Sequence, residues 1–116
     1  MRAGWVNLKP ISPKLLKRGK PTEIELQIKS KDIKIDITGY VQLEIRQPQD
    51  SLPLDGWFRN IFPLQYFNLL PKKTSRLIFP IQAPADYEGP ALFHFTAFNK
   101  EHQIIGERFL RLDCRK

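Results

Sequence analysis

Cysteine is nearly missing from this 116-residue chain: Cys114 stands alone, so no internal disulfide staples the fold. Burial must hold the core, and one domain spanning residues 1–116 is large enough for that. A disulfide-free chain favours the cytoplasm. The 6 glycines, Gly4, Gly19, Gly39, Gly56, Gly89 and Gly106, are scattered, which excludes a glycine-rich phosphate loop. No apolar run approaches the roughly 20 residues that span a bilayer. "MRAGWVNLKP" offers no apolar stretch before Lys9 to act as a secretion signal. No segment carries a sustained 3.6-residue apolar stripe between helix caps. The best helical candidate, "GWFRNIFPLQYF", is broken by Pro63.

Catalytic groupings are equally sparse. Ser12, Ser30, Ser51 and Ser75 lie in no nucleophile-elbow context. Asp32, Asp36, Asp50, Asp55 and Asp86 are dispersed and build no calcium loop. His94, His102 and Glu101 are the nearest approach to a zinc trio, but their spacing does not force convergence. Cys114, near the end of the chain, has no adjacent base to activate it. The expectation is a protein that is not an enzyme, with no metal and no cofactor.

What is present is alternation. "TEIELQIKS" puts Ile24, Leu26 and Ile28 on one face and Glu23, Glu25 and Gln27 on the other, the period of a half-buried strand. "KDIKIDITGYVQLEIR" continues the pattern through Ile33, Ile35, Ile37, Val41, Leu43 and Ile45. Gly39 marks either a hinge between two strands or a bulge that shifts the phase. "SRLIFPIQ" alternates around Leu77, Phe79 and Ile81, and Pro80 argues for a sheet edge or a late kink. Pro10 and Pro13 suit an edge position for an opening strand around Trp5, Val6 and Leu8. "ALFHFTAFN" carries apolar residues on both faces, as a central strand does. "NKEHQ" reads as a hairpin turn into a closing strand, "IIGERFLRLDC".

About seven short strands in a chain of this size predict an all-β fold, an antiparallel β-sandwich. The stretch "NLKPISPKLLKRGKPTEIELQIKS" resembles the opening of bacterial immunoglobulin-like modules. "IFPIQAPADYEGPALFHFTAFNKEHQIIGERFLRL" resembles their closing half. Fibronectin type III domains and the cell-adhesion-related bacterial domain share this layout. The resemblance implies an immunoglobulin-like sandwich and a role in binding, spacing or scaffolding. The chain departs from the pattern in having no cysteine pair between sheets. Trp5 and Trp57 are off the third strand, and Tyr87 precedes Gly89 where such folds place a tyrosine after the glycine.

One stretch breaks the alternation. "DGWFRNIFPLQYFNLLPKK" concentrates aromatic and aliphatic residues where a sandwich crosses between its sheets. Leu64, Phe67 and Leu69 are the candidates to plug the sandwich edge. Trp57, Phe58, Arg59, Ile61, Phe62 and Tyr66 have the composition of a binding hot spot. Either they are buried as core, or they point to a protein partner or to self-association. The net charge of +7 would steer an acidic partner, with Lys72, Lys73 and Arg76 as the nearest basic patch. The same cations beside an apolar foot would suit an anionic membrane surface. The alternative is a basic β-domain, barrel-like, binding nucleic acid through Phe93, Phe95, Phe98 and Phe109 beside Arg108 and Arg111.

Overall fold

The computed structural model describes residues 5–11, 15–31, 36–49 and 64–115. They form eight strands: β1 (Val6–Ile11), β2 (Leu15–Lys17), β3 (Pro21–Ser30), β4 (Ile37–Arg46), β5 (Leu64–Leu69), β6 (Thr74–Gln82), β7 (Gly89–Asn99) and β8 (Ile104–Arg115). Ile33, Ile35 and the segment Trp57 to Pro63 lie outside the described residues. Among the described residues no helix is long and apolar enough to cross a membrane.

The strands make two sheets, ordered β1-β3-β6 and β2-β8-β7-β4-β5. This is the immunoglobulin-like arrangement, with an added three-residue strand, β2, lying parallel to β8. There are two separate sheets, so the barrel alternative does not hold. Both prolines fall where a missing N–H is tolerated: Pro10 on β1 and Pro80 on β6, the two edges of the smaller sheet. Strand β7 sits in the middle of the larger sheet, as its two apolar faces predicted.

The period-two pattern fills the space between the sheets. Ile24, Leu26 and Ile28 of β3 and Leu77, Phe79 and Ile81 of β6 line one side. Val41, Leu43 and Ile45 of β4 and Ala91, Phe93, Phe95 and Ala97 of β7 line the other. Each large side chain so buried contributes about 1.5–3 kcal/mol over its exposed state. Phe79 and Phe95 meet edge to face across the gap, ring centroids 5.7 Å apart at 65°. Phe93 and Phe95 are thus core residues with no surface to offer a nucleic acid.

Two expectations need correction. Gly39 neither hinges nor shifts the phase. β4 runs in continuous register against both β5 and β7, with Ile37, Gly39 and Val41 all facing inward. Glycine stands there because the backbone of Phe98 comes too close for a side chain. The stretch rejected as a helix is strand in its described part, since Leu64 to Phe67 belong to β5. Finally, β5 stays in the sheet of β4, and the chain changes sheets only after it, at Leu70–Lys73. Phe67 and Leu69 are nevertheless buried there, as plug residues should be, and Leu64 is half-buried.

The bulge lies elsewhere, in β8. Its register against β7 slips between Ala97 and Phe98, so Ile105 and Gly106 are both buried. Gly106 leaves room for Val6 of β1, whose methyl would stand 2.6 Å from an added Cβ.

Cys114 is fully buried near the end of β8. Burial pushes its thiol above the ordinary value, Arg18 partly offsets this, and Glu88 adds to it. The folded state therefore holds the proton after the unfolded chain has begun to release it, above about pH 8.5. In that window the unfolded state binds fewer protons, so stability falls as pH rises, by at most about 1.4 kcal/mol per pH unit. Denaturant titrations of the wild type and Cys114→Ala between pH 7 and 10 should show the wild type losing its advantage. Parallel pH profiles would contradict this account.

Candidate functional site

The outward positions of the larger sheet gather aromatic rings, and register explains how. Tyr40 of β4 lies opposite Tyr66 of β5 on one side and Phe98 of β7 on the other. Its ring stacks on Phe98 with centroids 5.0 Å apart and tilts against Tyr66 at 5.9 Å. The phenol oxygen of Tyr40 meets His102 Nδ1 at 2.7 Å, which adds a fourth ring.

The turn after β7 holds that histidine. Asn99 is buried, and its Oδ1 accepts hydrogen bonds from the backbone N–H groups of Glu101 and Gln103, at 3.0 and 2.9 Å. A short amide folding back on its own backbone is what asparagine supplies in turns. His102 itself adopts φ 64°, and its N–H donates to the Asn99 carbonyl.

About 13 Å further along β7, by the strand rise, lies a second ring pair. His94 and Phe109 stack nearly parallel, centroids 4.1 Å apart. His94 Nε2 is 2.7 Å from Glu107 and 3.3 Å from Thr96 Oγ1. The two histidines therefore go to different partners and do not converge with Glu101.

Tyr40, His94 and Phe98 are half-buried, but His102 is exposed, Tyr66 is 76% exposed and Phe109 52%. A large ring in water on a flat, regular sheet forgoes burial that most aromatic side chains find. The face is also mixed in chemistry. Thr38 donates to the Asn68 amide oxygen at 2.9 Å, and Glu44 pairs with Arg46 along β4.

Trp57, Phe58, Arg59, Ile61 and Phe62 lie outside the described residues, while Tyr66 joins the ring cluster. Arg76 lies on the outer face of the smaller sheet and pairs with Glu25 at 3.3 Å. Lys72 turns to a cleft of about 530 Å³ at the end of the sandwich, lined with Asn7, Lys29, Ser30 and Lys31. Beside it, a groove of about 460 Å³ is lined by Trp5, Asp36, Thr38, Asn68 and Glu101 among others. At the opposite end Tyr87 donates its hydroxyl to the Pro90 carbonyl at 2.6 Å, a corner-fixing role despite its position before Gly89.

Tyr40 escaped the sequence reading, and His102 stood out there only as a candidate metal ligand. The only signal for Tyr40 was its even position on β4, which means little until the register puts Tyr66 and Phe98 beside it. His102 needed the turn geometry.

No protein-family model matches the sequence, and no curated protein matches it. Solved structures do. The CARDB domain of a Pyrococcus furiosus protein, crystallised in complex with di-metal ions, superimposes with a TM-score of 0.70 at 15% identity, covering 94% of this chain and 91% of that one. Native α2-macroglobulin from Escherichia coli matches with a TM-score of 0.67 at 16% identity, over 97% of this chain and 17% of its own. A cohesin module from a Clostridium perfringens family 33 glycoside hydrolase gives 0.59 at 10% identity, over 97% and 98%. These likenesses establish the immunoglobulin-like sandwich fold.

Proposed function

We propose that this domain is a non-catalytic interaction module that docks on a protein surface through the outer face of its five-stranded sheet. The observation that carries this reading is the ring cluster of Tyr40, Tyr66, Phe98 and His102, with Tyr66 76% exposed at its margin. Rigid aromatic side chains on a regular backbone lose little entropy on binding and bury much area, which makes them the anchors of interfaces. The Trp57–Phe62 stretch precedes β5 in the sequence and shares this aromatic composition. Chains of similar fold occur as one module of larger proteins, as the cohesin module and the macroglobulin match illustrate. The basic charge steers an acidic partner to this surface.

Two measurements test the reading together. Light scattering at rising concentration shows whether a second copy is the partner. A photoreactive phenylalanine analogue at position 66, with Thr74 on the opposite sheet as control, traps any other protein in the native host. Adducts formed from position 66 and not from 74 are expected. Tyr66→Ala should weaken whichever complex forms at least about tenfold, the loss typical of a hot-spot residue. Its thermal stability should barely change, because the ring is already in water. A monomer at every concentration, with equal trapping from positions 66 and 74, would reject the proposal.

A further inference from the structure

The lysine cleft is a second surface, separate from the aromatic face. Its backbone is fixed: the Ser30 N–H donates to the Lys73 carbonyl at 3.2 Å, and the Lys31 N–H to the Trp5 carbonyl at 2.9 Å. Lys29, Lys31 and Lys72 converge on it from the end of β3 and from the β5–β6 turn, and among the described residues its lining includes no carboxylate. Among the described residues, the ion pairs are Arg46–Glu44, Arg76–Glu25, His94–Glu107 and Arg115–Asp113, so none of these three lysines pairs with a described carboxylate.

Lys72 adds an independent observation. The turn Leu70–Lys73 closes with the Lys73 N–H donating to the Leu70 carbonyl at 3.1 Å. Pro71 stands at its second position and Lys72 at its third, with φ 59°. That position of a turn favours glycine or asparagine. A lysine is held there against its backbone preference, and its side chain lines the cleft.

We infer that this cleft binds a carboxylate-rich peptide segment of a partner protein. Three converging cations, with no carboxylate among the described lining residues, are complementary to a run of Asp or Glu. The described lining contains no arginine, the residue suited to gripping phosphate with two parallel hydrogen bonds. It contains no aromatic ring either, and single-stranded nucleic acid is held largely by stacking its bases. Lysines alone, as point charges, suit single carboxylates spaced along an extended chain.

The test is fluorescence anisotropy of the full chain with a labelled oligoglutamate, at low salt so that exposed ion pairs are not screened. Lys29→Gln combined with Lys31→Gln should weaken binding about five- to tenfold, the sum of two exposed charge contacts. The control pair, Lys17→Gln with Lys20→Gln, removes the same charge elsewhere and should change affinity less than about twofold. Lys72→Gly should weaken binding about threefold while raising the melting temperature by about 2–4 °C, since glycine relieves the turn. This opposition separates loss of a contact from loss of fold. Equal weakening by the control pair would overturn the site in favour of net charge alone. Tighter binding of an oligothymidylate through the same lysines would replace the acidic peptide with nucleic acid. Absence of oligoglutamate binding at low salt would end the proposal.

Discussion

Gly39→Ala should cost the fold about 3 kcal/mol or more, far beyond what one added methyl usually costs a sheet. A Cβ at this inward position would overlap the carbonyl oxygen of Phe98, with the carbonyl carbon at 2.9 Å and the Asn99 Cα at 3.1 Å. A side chain in that place could rotate aside; the backbone of the central strand cannot. β4 would have to part from β7 or shift its register, and a one-residue slip would turn Val41, Leu43 and Ile45 toward solvent. Native domains hold only about 5–15 kcal/mol in reserve, so the variant stands close to unfolding. Urea denaturation measures the loss directly. A variant within about 1 kcal/mol of the wild type would show that the two strands do not approach as described.

Phe79→Ala and Phe95→Ala come next, each expected to cost about 3–5 kcal/mol through lost burial and the cavity left behind. Both rings are fully buried, and they meet from opposite sheets. The double variant therefore carries the sharper information. Because the edge-to-face contact is worth about 0.5–1.5 kcal/mol beyond area, the second substitution should cost less once the first is made. Strict additivity in the cycle would mean that the rings do not touch, and the packing of the two sheets would need revision.

Much of this architecture was legible because one face of each strand is buried and the other is wet. Ile24, Leu26 and Ile28, or Phe93 and Phe95, announce both their strand and their orientation. Prolines 10 and 80 announced edges for the equally local reason that they lack an N–H. What escaped was non-local. Strand β2 has three residues and one buried side chain, Leu16, too few to show a period. Its partner is the far end of the chain. Gly39 looked like a break in the pattern because sequence cannot show the backbone that crowds it. The aromatic face was half visible: Tyr66 stood out in an unusual stretch, whereas Tyr40 acquired meaning only from its cross-strand neighbours. The basic residues were visible one by one. Their division between a paired Arg76 and a convergent Lys72 depends on turn geometry.

The parallel contact between β2 and β8 has a mechanical consequence. Leu15, Leu16 and Lys17 lie beside Asp113, Cys114 and Arg115, and the Arg18 N–H adds a further bond to the Arg115 carbonyl at 2.8 Å. Once β1 has come away from β3, tension carried along the chain enters β2 from its first residue and leaves β8 from its last. The two strands are then drawn in opposite directions along their shared length. Their hydrogen bonds are loaded together, in shear, and do not open one by one like a zipper. A domain connected in series with others would thus resist stretching through this short clamp, and its lifetime under load would be set by the rate at which the clamp slips.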